Sequence, residues 1–139
     1  MYNRDTHYDL TRKLAIVAGF KSCAADKIAG ADQGVDDNPK TDPWKSKRNR
    51  ELWHFPSQER VNEVINAAKE SCSLVDLGMA LHVLQDSYSH AGYPAWRGHF
   101  PDWSVDDPKS DPVKYNNMTE ATKKLLNEFK QKCGIDCCK

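Results

Sequence analysis

Apolar residues recur at helical spacing through most of the chain, and no stretch alternates the way a half-buried strand does. The pattern predicts a first helix from about Thr6 to Ala18, with Tyr8, Leu14, Ala15 and Ala18 on one stripe and Gly19 stopping it. A second opens at Ser22, a good N-cap, and carries Ala25, Ile28, Ala29 and Ala31 toward Val35. A third follows Pro56 and Ser57, with Val61, Val64, Ile65 and Ala68 at helical spacing. Ser73 and Asp76 make a capping-box-like start for a fourth helix that runs to about Ala91, where Gly92 and Pro94 end it. Its residues Leu77, Met79, Ala80, Leu81, Val83 and Leu84 cover nearly every face, which predicts a helix at the centre of the domain. Asp111 and Pro112 supply a cap and a first-turn proline for a last helix to about Lys132. The stretches 36–56 and 93–109 mix Asp, Pro, Gly and aromatics and read as long ordered loops, which in compact domains usually carry function. The expectation is one all-α domain over residues 1–139, a compact bundle of about five helices with two long loops rimming a metal cleft.

The fourth helix also carries ionisable groups. His82, Asp86 and His90 succeed one another at intervals of four and so share one helical stripe. Such groups on the most buried helix cost several kcal/mol unless they are paired or metal-bound. Two imidazoles flanking a carboxylate suit zinc, which takes nitrogen from His and oxygen from Asp. The plainer reading is a hydrogen-bonded His–Asp–His ladder in the core.

The remaining histidines sit among apolar or aromatic neighbours: His7 near the start of the first helix, His54 in Leu52-Trp53-His54-Phe55, and His99 in Gly98-His99-Phe100. Each alone reads as a satisfied core residue; beside a three-ligand helix they become candidate ligands. Asp32 and Asp36 share a face at the end of the second helix. Asp32 lies among alanine and glycine, where an unpaired carboxylate would be costly, and Asp36 has simple helix termination as its competing role.

Composition bounds the partners. Twenty basic and twenty acidic residues cancel, so nothing points to long-range steering toward nucleic acid or an anionic membrane. No apolar run approaches a membrane span, and the first twenty residues are too charged for a secretory signal. The five cysteines, Cys23, Cys72, Cys133, Cys137 and Cys138, suggest one or two disulfides tying the tail to the body in an oxidising compartment, with the pairing open. Buried inert thiols are the alternative.

Taken together, these residues resemble the superfamily of bacterial zinc-dependent phospholipases C and zinc-dependent single-strand nucleases. The matching pieces, in chain order, are His7, the stretch Ile28 to Asp32, Trp53-His54-Phe55, the stretch Leu77 to Asp86, and His90. The resemblance implies an all-helical fold with two or three zinc ions. Carried over, Asp32, His54, His82 and Asp86 would hold one zinc, Asp86 would bridge to another that takes His7, and His90 with His99 would hold a third. Asp36 is an alternative to Asp32, and Asp102 a possible further ligand. The chain departs from the family in its short length, in Met1-Tyr2 where members use an N-terminal tryptophan amine, and in Trp103 where a carboxylate is expected. A second resemblance, to C-terminal toxin modules of bacterial Rhs-repeat proteins, rests on His7-Tyr8-Asp9-Leu10-Thr11, Ala31-Asp32-Gln33, Trp53-His54-Phe55-Pro56 and Gln85-Asp86-Ser87-Tyr88. It implies secretion or delivery into rival cells and a cognate immunity protein as partner.

The expected activity is phosphodiester hydrolysis, in which clustered divalent ions acidify a water and bind the phosphate oxygens. Asp32 and Asp86 would orient the attacking group, with Asp32 a possible base. Arg97, Trp96 and Tyr93 are the candidate substrate-binding residues, able to hold phosphate, stack on bases or dip into lipid. Zero net charge favours a phospholipid over a long nucleic-acid backbone, leaving a nuclease as the alternative. A non-catalytic helical binding domain with a structural zinc site is the reading from another class; more than four ligand candidates and no cysteine among them count against it.

Overall fold

The computed structural model describes residues 2–42, 45–89 and 111–134. Six helices account for most of them: α1 (Thr11–Ala18), α2 (Ser22–Asp37), α3 (Lys47–Asn49), α4 (Gln58–Ser71), α5 (Leu74–Ser89) and α6 (Pro112–Cys133). No strand occurs among the described residues. A π-helical turn, Asp5–Leu10, runs directly into α1, and a second, Arg50–His54, continues α3.

The helix ends follow local chemistry. Gly19 adopts φ 107° and its N–H closes α1 onto Ala15 and Ile16, a left-handed conformation that glycine takes without a Cβ penalty. Ser57 caps α4 by accepting from the Arg60 N–H, and Ser73 Oγ accepts from the Asp76 N–H at the start of α5. Asp111 accepts from the Lys114 N–H ahead of Pro112, the first residue of α6. Ser22 is not a cap: α2 begins on it, after an extended Lys21 with no side-chain cap.

The stretch 36–56 departs from the expected loop. Asn38 accepts from the Lys40 N–H to start the 3₁₀ turn Pro39–Thr41, and Ser46 accepts from the Asn49 N–H to start α3. Short polar side chains that favour turns thus serve as caps for short helical pieces. This places His54 on a helical turn, with its direction fixed.

The core gathers Leu14, Phe20, Ile28, Val61, Leu77, Leu81, Val83, Leu126 and Phe129. Helix α5 lies at its centre, packed against α2, α4 and α6, and buries Leu77, Gly78 and every residue from Ala80 to Asp86. The α2–α5 approach is close at Gly78. A Cβ there would stand 2.4 Å from the Ile28 carbonyl oxygen, 2.6 Å from Ala31 Cβ and 3.0 Å from the Asp32 nitrogen. That lack of a side chain brings His82, one turn further along α5, against Asp32. A disulfide between Cys72 and Cys133 joins the end of α4 to the end of α6, and Cys23 is disulfide-bonded as well. Among the described residues, no helix is long and apolar enough to cross a membrane.

Candidate metal centre

Five side chains from four segments meet beneath the surface: His7 from the first π-turn, Asp36 from the end of α2, His54 from the second π-turn, and His82 and Asp86 from α5. Four are fully buried, while the Asp36 side chain is 19% exposed and marks where the cluster meets solvent. Ligand atoms of His7, Asp36, His82 and Asp86 all lie within 4.8 Å of one another, so this buried cluster can hold a metal ion. Two of its histidines sit on π-helical turns, a local widening of the helix that recurs at functional sites.

Each imidazole has one nitrogen tied outward. His7 Nδ1 lies 3.0 Å from Asp32 Oδ1, His82 Nδ1 lies 2.9 Å from the Asp32 carbonyl oxygen, and His54 Nε2 lies 2.8 Å from the Thr41 carbonyl oxygen. These acceptors take a ring N–H, which fixes each tautomer and leaves the other nitrogen facing inward. Those inward atoms, His7 Nε2, His54 Nδ1 and His82 Nε2, have no hydrogen-bond partner. Neither do Asp36 Oδ1 and both oxygens of Asp86.

The inward contacts fall into two sets. His7 Nε2 faces Asp86 Oδ1 at 3.2 Å and Asp36 Oδ2 at 3.7 Å. His82 Nε2 faces Asp86 Oδ2 at 3.1 Å and Asp36 Oδ1 at 3.5 Å, and His54 Nδ1 faces the same two oxygens at 3.4 and 3.5 Å. Each carboxylate therefore turns one oxygen to His7 and the other to the His54–His82 pair. Buried lone pairs pointing at one another are costly unless a cation lies among them. A divalent ion or protons on the imidazoles can supply it, and the donor set of nitrogen and carboxylate oxygen without sulfur fits zinc or a similar ion.

Without metal the cluster holds protons. Burial pulls the His82 imidazole down and His7 adds to that pull, but Asp86 and Asp32 outweigh both and its pKa rises to about 9. Burial also opposes charge on His7, yet Asp32 and Asp86 hold it well above the usual histidine range. Burial would raise Asp86, but His82, His7 and His54 hold it well below the usual carboxylate range. Asp36 is raised, by burial first, with Asp86 adding to it against the histidines. Tyr2 closes one side of the site: it is buried, edge-on to His7 and to Tyr115, and burial with Asp86 raises its hydroxyl pKa.

Measured against the sequence, His7, His54, His82 and Asp86 converge as expected. The two aspartates of α2 exchange roles: Asp36 faces the cluster, whereas the Asp32 carboxylate stands behind His7 and accepts from Thr11 Oγ1 at 2.9 Å. Helical spacing puts the two on one face, but Thr11 Oγ1 of α1 and His7 Nδ1 hold the Asp32 carboxylate toward their own segment. His90, His99, Asp102, Arg97, Trp96 and Tyr93 lie outside the described residues. Gln85, Thr11 and Thr41 were not singled out in the sequence. Gln85 carried a signal, being a further polar residue beside His82 and Asp86 on the most apolar helix.

A family model described as a family of unknown function (DUF6765) matches residues 2–59. That stretch holds His7, Asp32, Asp36 and His54. No curated protein and no solved structure matches the chain.

Proposed function

We propose that this domain is a zinc-dependent phosphodiester hydrolase of the phospholipase C type, acting as a bacterial antagonistic toxin module. The observation that carries the reading is the division of inward-facing atoms into two sets bridged by Asp36 and Asp86. Three imidazole nitrogens and two bridging carboxylates exceed what one closed structural zinc site requires. His54 and His82 would hold one ion and His7 another, with Asp86 and Asp36 shared between them. Paired divalent ions supply Lewis acidity toward a phosphodiester and lower the pKa of water toward neutrality.

The chain's own residues do the rest. The outward hydrogen bonds hold the three rings so that their free nitrogens converge, which avoids reorganising them when charge develops. Asp36, which among the described cluster residues is the one that reaches solvent, would meet the attacking water at the mouth of the site and orient it. The sequence resemblance to phospholipases C and single-strand nucleases supplies the reaction class, and net charge zero favours a phospholipid substrate over a nucleic acid. Delivery into rival cells and an immunity protein rest on the resemblance to Rhs-repeat modules alone.

A second reading, a structural zinc site in a helical binding domain, draws on the complete burial of His7, His54, His82 and Asp86. Zinc-loaded protein offered phospholipid vesicles and single-stranded nucleic acid in parallel separates these readings. EDTA-sensitive release of a phosphorylated head group supports the phospholipase, and nucleotide release supports the nuclease. No product from either, with zinc bound, supports the structural site.

A further inference from the structure

We infer that Asp32 is a positioning residue for the metal centre rather than one of its ligands, and that Thr11 and Gln85 are built to hold it in that role. The inference rests on the metal-site reading above and deepens it. Of the three outward ring contacts, that of His54 ends on a backbone carbonyl, that of His82 on the Asp32 carbonyl at 2.9 Å with the Asp32 carboxylate 3.4 Å away, and that of His7 on the Asp32 carboxylate at 3.0 Å beside Gln85 Oε1 at 2.9 Å. A carboxylate behind a ligating imidazole orients the ring and strengthens its free nitrogen as a donor, more than a neutral carbonyl does. Among the described residues His7 is the one imidazole in its set of inward contacts, so its donor strength matters most there.

Polar partners on both carboxylate oxygens hold the Asp32 side chain in place. Its side chain is fully buried, and its Oδ2 accepts from Thr11 Oγ1 at 2.9 Å. Gln85 Nε2 donates to Thr11 Oγ1 at 2.9 Å, which leaves the single Thr11 hydroxyl proton for Asp32, and Gln85 Oε1 lies 2.9 Å from His7 Nδ1. The Asp32 carbonyl meanwhile anchors His82 Nδ1, so one residue fixes two of the rings, through its side chain and its backbone. Its backbone nitrogen lies in the close α2–α5 approach at Gly78, which holds that geometry. Thr11 and Gln85 are themselves fully buried and spend their polar atoms on this network.

The test compares wild type, Asp32→Asn and Thr11→Val in two measurements: zinc affinity by competition with a chelating dye, and the visible absorption of the cobalt(II) forms. Asp32→Asn keeps an acceptor behind His7 but removes its charge; the expected result is zinc affinity about 10–100-fold weaker. Its cobalt band should keep the shape and intensity of wild type, because the ligand set is intact. Thr11→Val should weaken zinc by a smaller factor and preserve the band. A cobalt spectrum that changes in Asp32→Asn makes Asp32 a ligand and overturns the inference, as does unchanged zinc affinity. Wild type that takes up neither ion overturns the metal-site reading as well. Melting of the metal-free variants, followed by circular dichroism, shows that both fold.

Discussion

His82 Nε2 and Asp86 Oδ2 stand 3.1 Å apart, one helical turn from each other on α5, and neither atom has a hydrogen-bond partner. In the centre of a packed helix that arrangement is unfavourable unless positive charge lies with it. Replacing either residue by alanine removes an inward donor without disturbing the apolar faces of α5. His82→Ala and Asp86→Ala should each abolish phosphodiesterase activity and weaken zinc binding by more than the roughly 10–100-fold that loss of an outer partner costs. Helical circular dichroism should be retained. Full activity in either variant would refute the assignment.

Asp36 and Asp32 should separate in the same assay. Asp36→Asn removes a shared carboxylate and is expected to lower the number of zinc ions held per chain. Asp32→Asn is expected to lower affinity with the number unchanged. Metal content after dialysis against weak chelator reads the difference; the reverse pattern would restore Asp32 as the ligand.

Gly78 sets how closely α2 and α5 approach. Gly78→Ala places a Cβ against the Ile28 carbonyl and Ala31, where the neighbours are backbone and a short side chain that cannot fold away. The expected cost is about 1–3 kcal/mol of stability. Zinc affinity should fall too, since the same displacement moves His82 from the Asp32 carbonyl. Urea melts of the metal-free variant measure the first effect, and a variant as stable as wild type would contradict the packing account.

The pH dependence should reverse sign on metal binding. In the metal-free protein His7 and His82 hold protons more tightly than the unfolded chain does. Their contribution is complete below the ordinary histidine pKa of about 6.5 and is lost as pH rises through about 9. With zinc the same rings must be unprotonated, so stabilisation by the metal grows across that window. Thermal melting in EDTA and in zinc at several pH values should give slopes of opposite sign; parallel slopes would contradict it.

The disulfide Cys72–Cys133 closes a sequence separation of 61 residues, for which loop-closure entropy gives about 4 kcal/mol. Cys72→Ser with Cys133→Ser should lower stability by about 2–4 kcal/mol. Zinc content should not change, because both cysteines lie at helix ends outside the five cluster residues. Loss of zinc in the folded double variant would show that the bridge supports the site itself.

Much of this fold was legible because its signals are local. The all-round apolar α5, the Ser73 and Asp111 caps and the Gly19 stop each depend on a few neighbouring residues. The helical pieces within 36–56 have no clear local signal, because Asn38 and Ser46 favour turns and caps alike and only tertiary context decides between them. His82 and Asp86 were legible as a pair from their helical spacing, whereas the convergence of His7 and His54 on them came from the family resemblance. Which aspartate of α2 turns inward was not legible, because Asp32 and Asp36 share a helix face and the contacts of Thr11 and His7 with the Asp32 carboxylate are tertiary. The π-turns under His7 and His54 have no periodic signature in the sequence.

Zinc content of the full chain after zinc loading and gel filtration, measured by atomic emission with Asp86→Ala alongside, bears most directly on the site. Two ions retained by the wild-type chain and lost from Asp86→Ala is the outcome expected from two donor sets joined through that carboxylate. A wild-type chain that emerges without zinc would leave its unpartnered imidazoles paired with aspartates by protons alone, and would contradict the account.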